Sequence, residues 1–113
     1  MADNNKACSY LGLAMRAGRL SNGEFAVIKA VKEMKASLVV LANDASYNTA
    51  KKIRDACKFR NIPVIDILSR ESISHAIGKE NRVAVSVNDP GFANAILKCV
   101  DNGGRSDSEK ESI

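Results

Sequence analysis

Three apolar runs, Ser37–Ala42, Pro63–Leu68 and Arg82–Val87, are separated by stretches whose apolar residues repeat at helical spacing. That alternation restricts the fold more than any other feature of the chain. Ser37-Leu38-Val39-Val40-Leu41-Ala42 is apolar without a break, the pattern of a strand covered on both faces. Pro63 is tolerated where it stands, at the start of the second run. Between the runs, Cys8, Leu11 and Met15 mark the buried stripe of a helix from about Asn5 to Ala17, which Gly18 stops. Leu20-Ser21 is a very short strand. Ser21-Asn22-Gly23-Glu24 then opens a helix reaching Lys35, and Asn43-Asp44-Ala45-Ser46 caps another reaching Arg60. Ser69–Ile77 is a short helix closed by Gly78, and Asp89-Pro90 opens a last helix to Val100. Strands alternating with helices imply an α/β layer sandwich whose central sheet is largely parallel.

At 113 residues the chain fits one domain, expected over residues 1–100. Residues 101–113 are rich in Gly, Ser and acids without apolar period, and are read as a disordered tail. Aromatics make up only 4% of the chain, so the core must be aliphatic. Cys8, Cys57 and Cys99 are odd in number and far apart, which excludes a disulfide framework and suits a reducing cytoplasm. The polar start Met1–Lys6 is unlike a signal peptide, and no apolar run is long enough to span a membrane. The net charge is +4, but the tail carries Asp101, Asp107, Glu109 and Glu111 against Arg105 and Lys110, leaving +6 on residues 1–100. A basic body on an aliphatic core points to a polyanionic partner such as nucleic acid.

Catalytic chemistry is not visible in the residues. One histidine, His75, has no second His or Cys pair near it in sequence, so no transition-metal site is expected. The seven glycines form no phosphate-binding loop, and no cofactor is expected. The cysteines fall on stripes that look buried, where thiols are inert, and Asp66 and Glu71 have no reason to converge. The expectation is a protein that is not an enzyme.

The second helix is the informative surface. At about 100° per residue, Val27, Ala30, Val31 and Met34 gather on the face toward the core, while Phe25, Lys29 and Lys32 lie opposite. Unpaired bases stack on aromatic rings, lysines neutralise phosphates, and the N–H groups of a helix start attract anions. Gly23 allows close approach. The plainer reading packs Phe25 beneath a neighbouring helix and leaves the lysines to solvent. Lys51, Asp55 and Lys58 on the third helix form a merely solvated stripe.

Gly23 at the helix start is followed by Lys29-Ala30-Val31, by a strand ending Leu41-Ala42-Asn43-Asp44, by Ile62-Pro63-Val64, and by Gly78 before a small-apolar strand. In order and spacing this resembles the kink-turn-binding ribosomal protein family of the L7Ae and L30e type. Asn43-Asp44-Ala45-Ser46 and Gly91-Phe92-Ala93-Asn94 resemble its bacterial branch, which has an extra C-terminal helix. The resemblance implies a three-layer α/β/α sandwich on a central mixed sheet of about four strands. It also implies a non-catalytic protein that binds structured RNA, kinked or not, rather than DNA or membrane, as a cytoplasmic monomer. The RNA-binding residues would be Asn22, Gly23, Glu24, Phe25, Lys29 and Lys32, extended by Arg16 and Arg19. The second side of the cleft would be Gly78, Lys79 and Arg82, on a loop beside the second helix. The family's helix begins Gly-x-Asn-Glu-x-x-Lys, and its Asn and Glu read tandem sheared G·A pairs. Those positions are Phe25 and Ala26 here, which have no polar side-chain atoms, and only Gly23 and Lys29 match. The apolar residue that follows the loop glycine is Lys79 here, and the Leu-Gly pair of the fourth helix is Ile73-Ser74. The other reading of the surface is a protein-interaction module that uses Phe25 as a knob.

Overall fold

The apolar runs become strands, and the periodic stretches become helices, in the order α1 (Asn4–Arg16), β1 (Leu20–Asn22), α2 (Glu24–Lys32), β2 (Leu38–Leu41), α3 (Tyr47–Phe59), β3 (Val64–Ile65), α4 (Arg70–Ile77), β4 (Ala84–Val87) and α5 (Pro90–Asp101). The structure is a computed structural model that describes residues 4–101. Of the tail expected at 101–113, Asp101 is instead the last residue of α5, and 102–113 lie outside the described residues. Local chemistry sets the ends of the elements. Ser46 Oγ accepts from Thr49 N at 3.3 Å and Ser69 Oγ accepts from Ser72 N at 3.1 Å, capping α3 and α4. Gly78 closes α4 at φ 71°, where a side chain would be strained.

The sheet has the order β1-β4-β2-β3. β2 and β3 are parallel, while β4 runs antiparallel to both β1 and β2. The sheet is therefore mixed, and the largely parallel sheet implied by alternation alone is corrected. β1, β2 and β3 do point the same way, each followed by a helix. β4 breaks the pattern because the segment after α4 folds back along that helix. Asn81 Oδ1 accepts from Arg70 Nη1 at 3.2 Å, and Arg82 N donates to Ser74 Oγ at 2.8 Å. The chain so re-enters the sheet at the end it had just left.

Side chains of each strand alternate between two apolar layers. Leu38, Val40, Val85 and Val87 pack with Leu11, Ile73, Ile77 and Ile96 under α1, α4 and α5. Val39, Leu41 and Ala84 pack with Val27, Val31, Ile53 and Cys57 under α2 and α3. The three-layer sandwich is as expected, and its buried core is aliphatic. Met34 is a correction. α2 stops at Lys32, Met34 turns to φ 60°, and its side chain is 65% exposed rather than on the core stripe. Among the described residues no helix is long and apolar enough to cross a membrane.

Ile53 is fully enclosed between α3 and the sheet. Ile53→Ala should lower unfolding free energy by about 2–5 kcal/mol in urea titration, the range for a buried isoleucine truncated in a packed core. Burial pushes the Cys57 thiol up to about 11, against a smaller opposing effect of Arg54. The unfolded thiol ionises from about 8.5, so the folded state holds the proton more tightly. This contribution is complete below that pH and is lost as pH rises toward 11. Cys57→Ala should show a shallower fall of the urea midpoint over that window than the parent chain.

Candidate functional site

One end of the sheet collects the ends of β1, β2 and β3 and the start of β4. There α2 leaves β1 through Gly23, whose amide donates to Ala84 O at 2.9 Å. Gly23 has φ 95° and ψ 154°, a backbone state that side chains rarely adopt. A Cβ built on it would meet nothing within 4 Å. The glycine is thus required by its backbone angle, and the space over it is open. No side chain caps this helix, in contrast to α3 and α4, so the first-turn amides face outward with the positive end of the helix dipole.

The loop from Gly78 to Arg82 stands beside this helix start, as expected. Arg82 Nε donates to Asn22 Oδ1 at 2.6 Å and Nη1 to Glu80 O at 3.0 Å. The buried Ser74 hydroxyl accepts from Arg82 N and donates to Arg82 O at 3.3 Å. Lys79 N donates to Ser74 O at 3.0 Å, and the Lys79 side chain is exposed. Asn22, Gly23 and Arg82, from β1, the start of α2 and the loop, are brought to one place, while Lys79 lines the neighbouring concavity with His75 and Arg70.

On α2 the outward stripe is also as expected. Phe25 is 82% exposed, which rules out packing beneath a neighbouring helix, and Lys29 and Lys32 are exposed. Lys29 Nζ pairs with Glu33 at 2.8 Å, and Lys35 reaches the same carboxylate at 3.3 Å. Hydrogen bonds from these two ammoniums hold Glu33 below the usual carboxylate range. Such exposed pairs contribute little to stability, so Lys29 is free to exchange Glu33 for another anion. Glu24 is turned toward α3, where Oε1 accepts from Thr49 Oγ1 at 3.0 Å and Oε2 from Lys52 Nζ at 3.3 Å. It braces the two helices.

Arg19 stands at the opposite end of β1 from Gly23, and among the described residues no hydrogen bond or ion pair joins Arg16 or Arg19 to Asn22, Gly23 or Arg82. Both are exposed, but Arg19 precedes Leu20, which pairs with Val87 at the far end of β4. That is a strand length, roughly 10 Å at 3.3 Å per residue, from Gly23. Two residues beside the site escaped sequence reasoning. Ile28 and Lys52 line a groove of about 760 Å³ with Phe25, Lys29 and Lys32. Lys52 is separated from α2 by a whole strand, and only the Glu24 contact betrays its position.

His75 borders a second concavity of about 590 Å³ with Asp44, Arg70, Glu71 and Lys79. Asp66 is held by Arg54 at 2.8 Å and does not meet Glu71 through any hydrogen bond or ion pair. Among the described residues no cluster of His, Cys, Asp or Glu could hold a metal ion. Burial raises the thiols of Cys8 and Cys57, away from a reactive thiolate.

Ser74→Ala removes both partners of the Arg82 backbone and leaves an N–H without its acceptor. It should cost about 1–3 kcal/mol, and the amides of 78–82 should show faster hydrogen exchange than those of β2.

Residues 5–97 match the sequence model of the ribosomal protein L7Ae/L30e/S12e/Gadd45 family. The chain is 46% identical over 91 residues to the RNA-binding protein YlxQ of Bacillus subtilis, covering 80% of this chain and 91% of that one. Its counterpart of the same name in Enterococcus faecium is 41% identical, covering 80% and 87%. A Bacillus halodurans protein of unknown function superposes with a TM-score of 0.81 at 42% identity, over 85% of this chain and 97% of that one. The Giardia lamblia 15.5kD RNA binding protein shares the fold, with a TM-score of 0.75 at 19% identity, over 87% of this chain and 84% of that one.

Proposed function

The chain belongs to the ribosomal protein L7Ae/L30e/S12e/Gadd45 family, and from that premise we propose that it is a non-catalytic RNA-binding protein that grips folded RNA where α2 meets the 78–82 loop. Relatives named for RNA binding cover most of the chain at 46% and 41% identity. The observation that carries the site is Phe25, an aromatic ring 82% exposed on the first turn of a helix that no side chain caps. An exposed ring offers a stacking face, and the lysines behind it offer phosphate contacts.

In this reading Gly23 lets the RNA backbone approach the first-turn amides of α2. Lys29 and Lys32 take phosphates along one side, and Lys79 with Arg82 takes them along the other. Asn22 acts through Arg82, fixing its guanidinium by the 2.6 Å hydrogen bond. Glu24 positions α2 against α3 rather than touching RNA. Arg16 and Arg19 fall outside the interface. Phe25 and Ala26 supply no hydrogen-bonding side-chain atom at the positions where the family reads sheared pairs. A kink-turn is therefore bound here through its bent backbone and stacking surfaces rather than through those base edges. The protein works in the cytoplasm as a monomer.

A double variant Lys29→Glu with Lys32→Glu should abolish binding to a kink-turn hairpin RNA in filter or anisotropy titrations. In the parent chain, log affinity should fall steeply with log salt, since each neutralised phosphate contributes about 0.7–0.9 to the slope. A flat salt dependence would instead favour the protein-interaction reading of the same surface. Unchanged binding in the double variant would refute the site.

A further inference from the structure

The groove between α2 and α3 begins at Phe25, two residues from Gly23, and follows Ile28 to Lys32 with Lys52 on its far wall. Half-buried Ile28 gives it an apolar floor, and exposed Phe25 stands at its edge. Its two carboxylates are already engaged, Glu24 by Thr49 and Lys52, and Glu33 by Lys29 and Lys35. Lys32 makes no ion pair among the described residues. The rim therefore presents surplus ammonium charge over an apolar floor.

Those are the two requirements of an unpaired nucleic-acid strand, which has flat apolar base faces and a charged backbone. From Glu24 to Lys32 the groove follows about 12 Å of helix at 1.5 Å per residue. That length matches about three nucleotides stacked at 3.4 Å. The groove is also continuous with the end of the sheet where Gly23 lies. We propose that it holds an unpaired RNA strand leading away from the folded RNA gripped at Gly23, with the first base on Phe25 and the following phosphates on Lys32 and Lys52. This rests on the RNA reading above and adds a second element to the ligand, a single-stranded flank. An acidic protein segment would also match the rim. Phe25, however, stands out from the surface rather than sinking into it, and offers a face for a ring instead of a socket for a side chain.

The test uses the full chain and a kink-turn hairpin RNA made blunt-ended, or extended by four unpaired nucleotides on the 5′ or the 3′ side. The first unpaired position carries 2-aminopurine. One of the two extensions should tighten binding about tenfold, within the range for stacking one base on an aromatic side chain, and the 2-aminopurine emission should change on binding. Lys52→Gln, which removes the charge but keeps a side-chain N–H for Glu24, should remove most of that gain and weaken the extended RNA far more than the blunt one. Lys52 is exposed, so the variant should fold, which its urea midpoint verifies. Binding of the blunt RNA with no gain from either extension would overturn the groove and leave the RNA reading standing. Equal weakening of both RNAs by Lys52→Gln would overturn it too, as would an acidic amphipathic peptide filling the groove while neither extension adds affinity. Failure of every RNA to bind would overturn the RNA reading and this inference with it.

Discussion

The entry of β4 between β1 and β2 is the constraint on which the site depends. Gly23 N reaches Ala84 O, and Asn22 reaches Arg82, only because β4 begins where β1 ends. The loop leading into it is held in turn by the Ser74 hydroxyl, which binds both backbone groups of Arg82. One buried serine thus ties the loop before β4 back to α4, while the ladders with β1 and β2 place the strand itself. The family resemblance expects Leu-Gly where this chain has Ile73-Ser74. The hydroxyl shows one way in which such a departure can be structurally productive.

Much of this architecture was legible in the sequence, because burial on one or both faces writes a period into the chain. The strand runs, the first two helices and the exposed stripe of Phe25, Lys29 and Lys32 follow from period, and the other three helices from their cap and stop residues. Pairing does not. Period shows that Arg82–Val87 is a buried strand but not which neighbours it takes, and its direction depends on a turn held by side-chain hydrogen bonds. Met34 illustrates another limit: its spacing matches the core stripe, yet α2 has already ended. Arg19 was close to Gly23 in sequence but stands a strand length away in space. Lys52 was far in sequence and adjacent in space.

The basic excess is also distributed in a way that composition cannot show. α2, α3 and the residues closing them carry Lys29, Lys32, Lys35, Lys51, Lys52, Arg54, Lys58 and Arg60 against Glu24, Glu33 and Asp55. α1, α4 and α5, counted with the residues that close them in the same way, carry Lys6, Arg16, Arg19, Arg70, Lys79 and Lys98 against Glu71, Glu80 and Asp101. The layer under which Val27 and Ile53 are buried is therefore the more positive of two positive layers, and a polyanion approaching from solution is drawn to it. Two of the pairings within that layer work in the same direction. Glu24 is occupied by Thr49 and Lys52, and Glu33 by two lysines. Neither carboxylate stands unpaired toward an incoming phosphate.

Specificity then has to come from shape. A side chain that hydrogen-bonds a base edge discriminates strongly, because a mismatch leaves a polar group unsatisfied. Phe25 and Ala26 have no such group, and stacking on a ring tolerates every base. What remains selective is geometry: the separation between the first turn of α2 and the 78–82 loop, held by Asn22, Arg82 and Ser74. In the proposed reading, an RNA whose backbone bends to meet both sides would satisfy the amides, Lys29 and Arg82 together, whereas a straight duplex would meet one side only. The discrimination would then rest on the polar network behind the surface rather than on the side chains upon it.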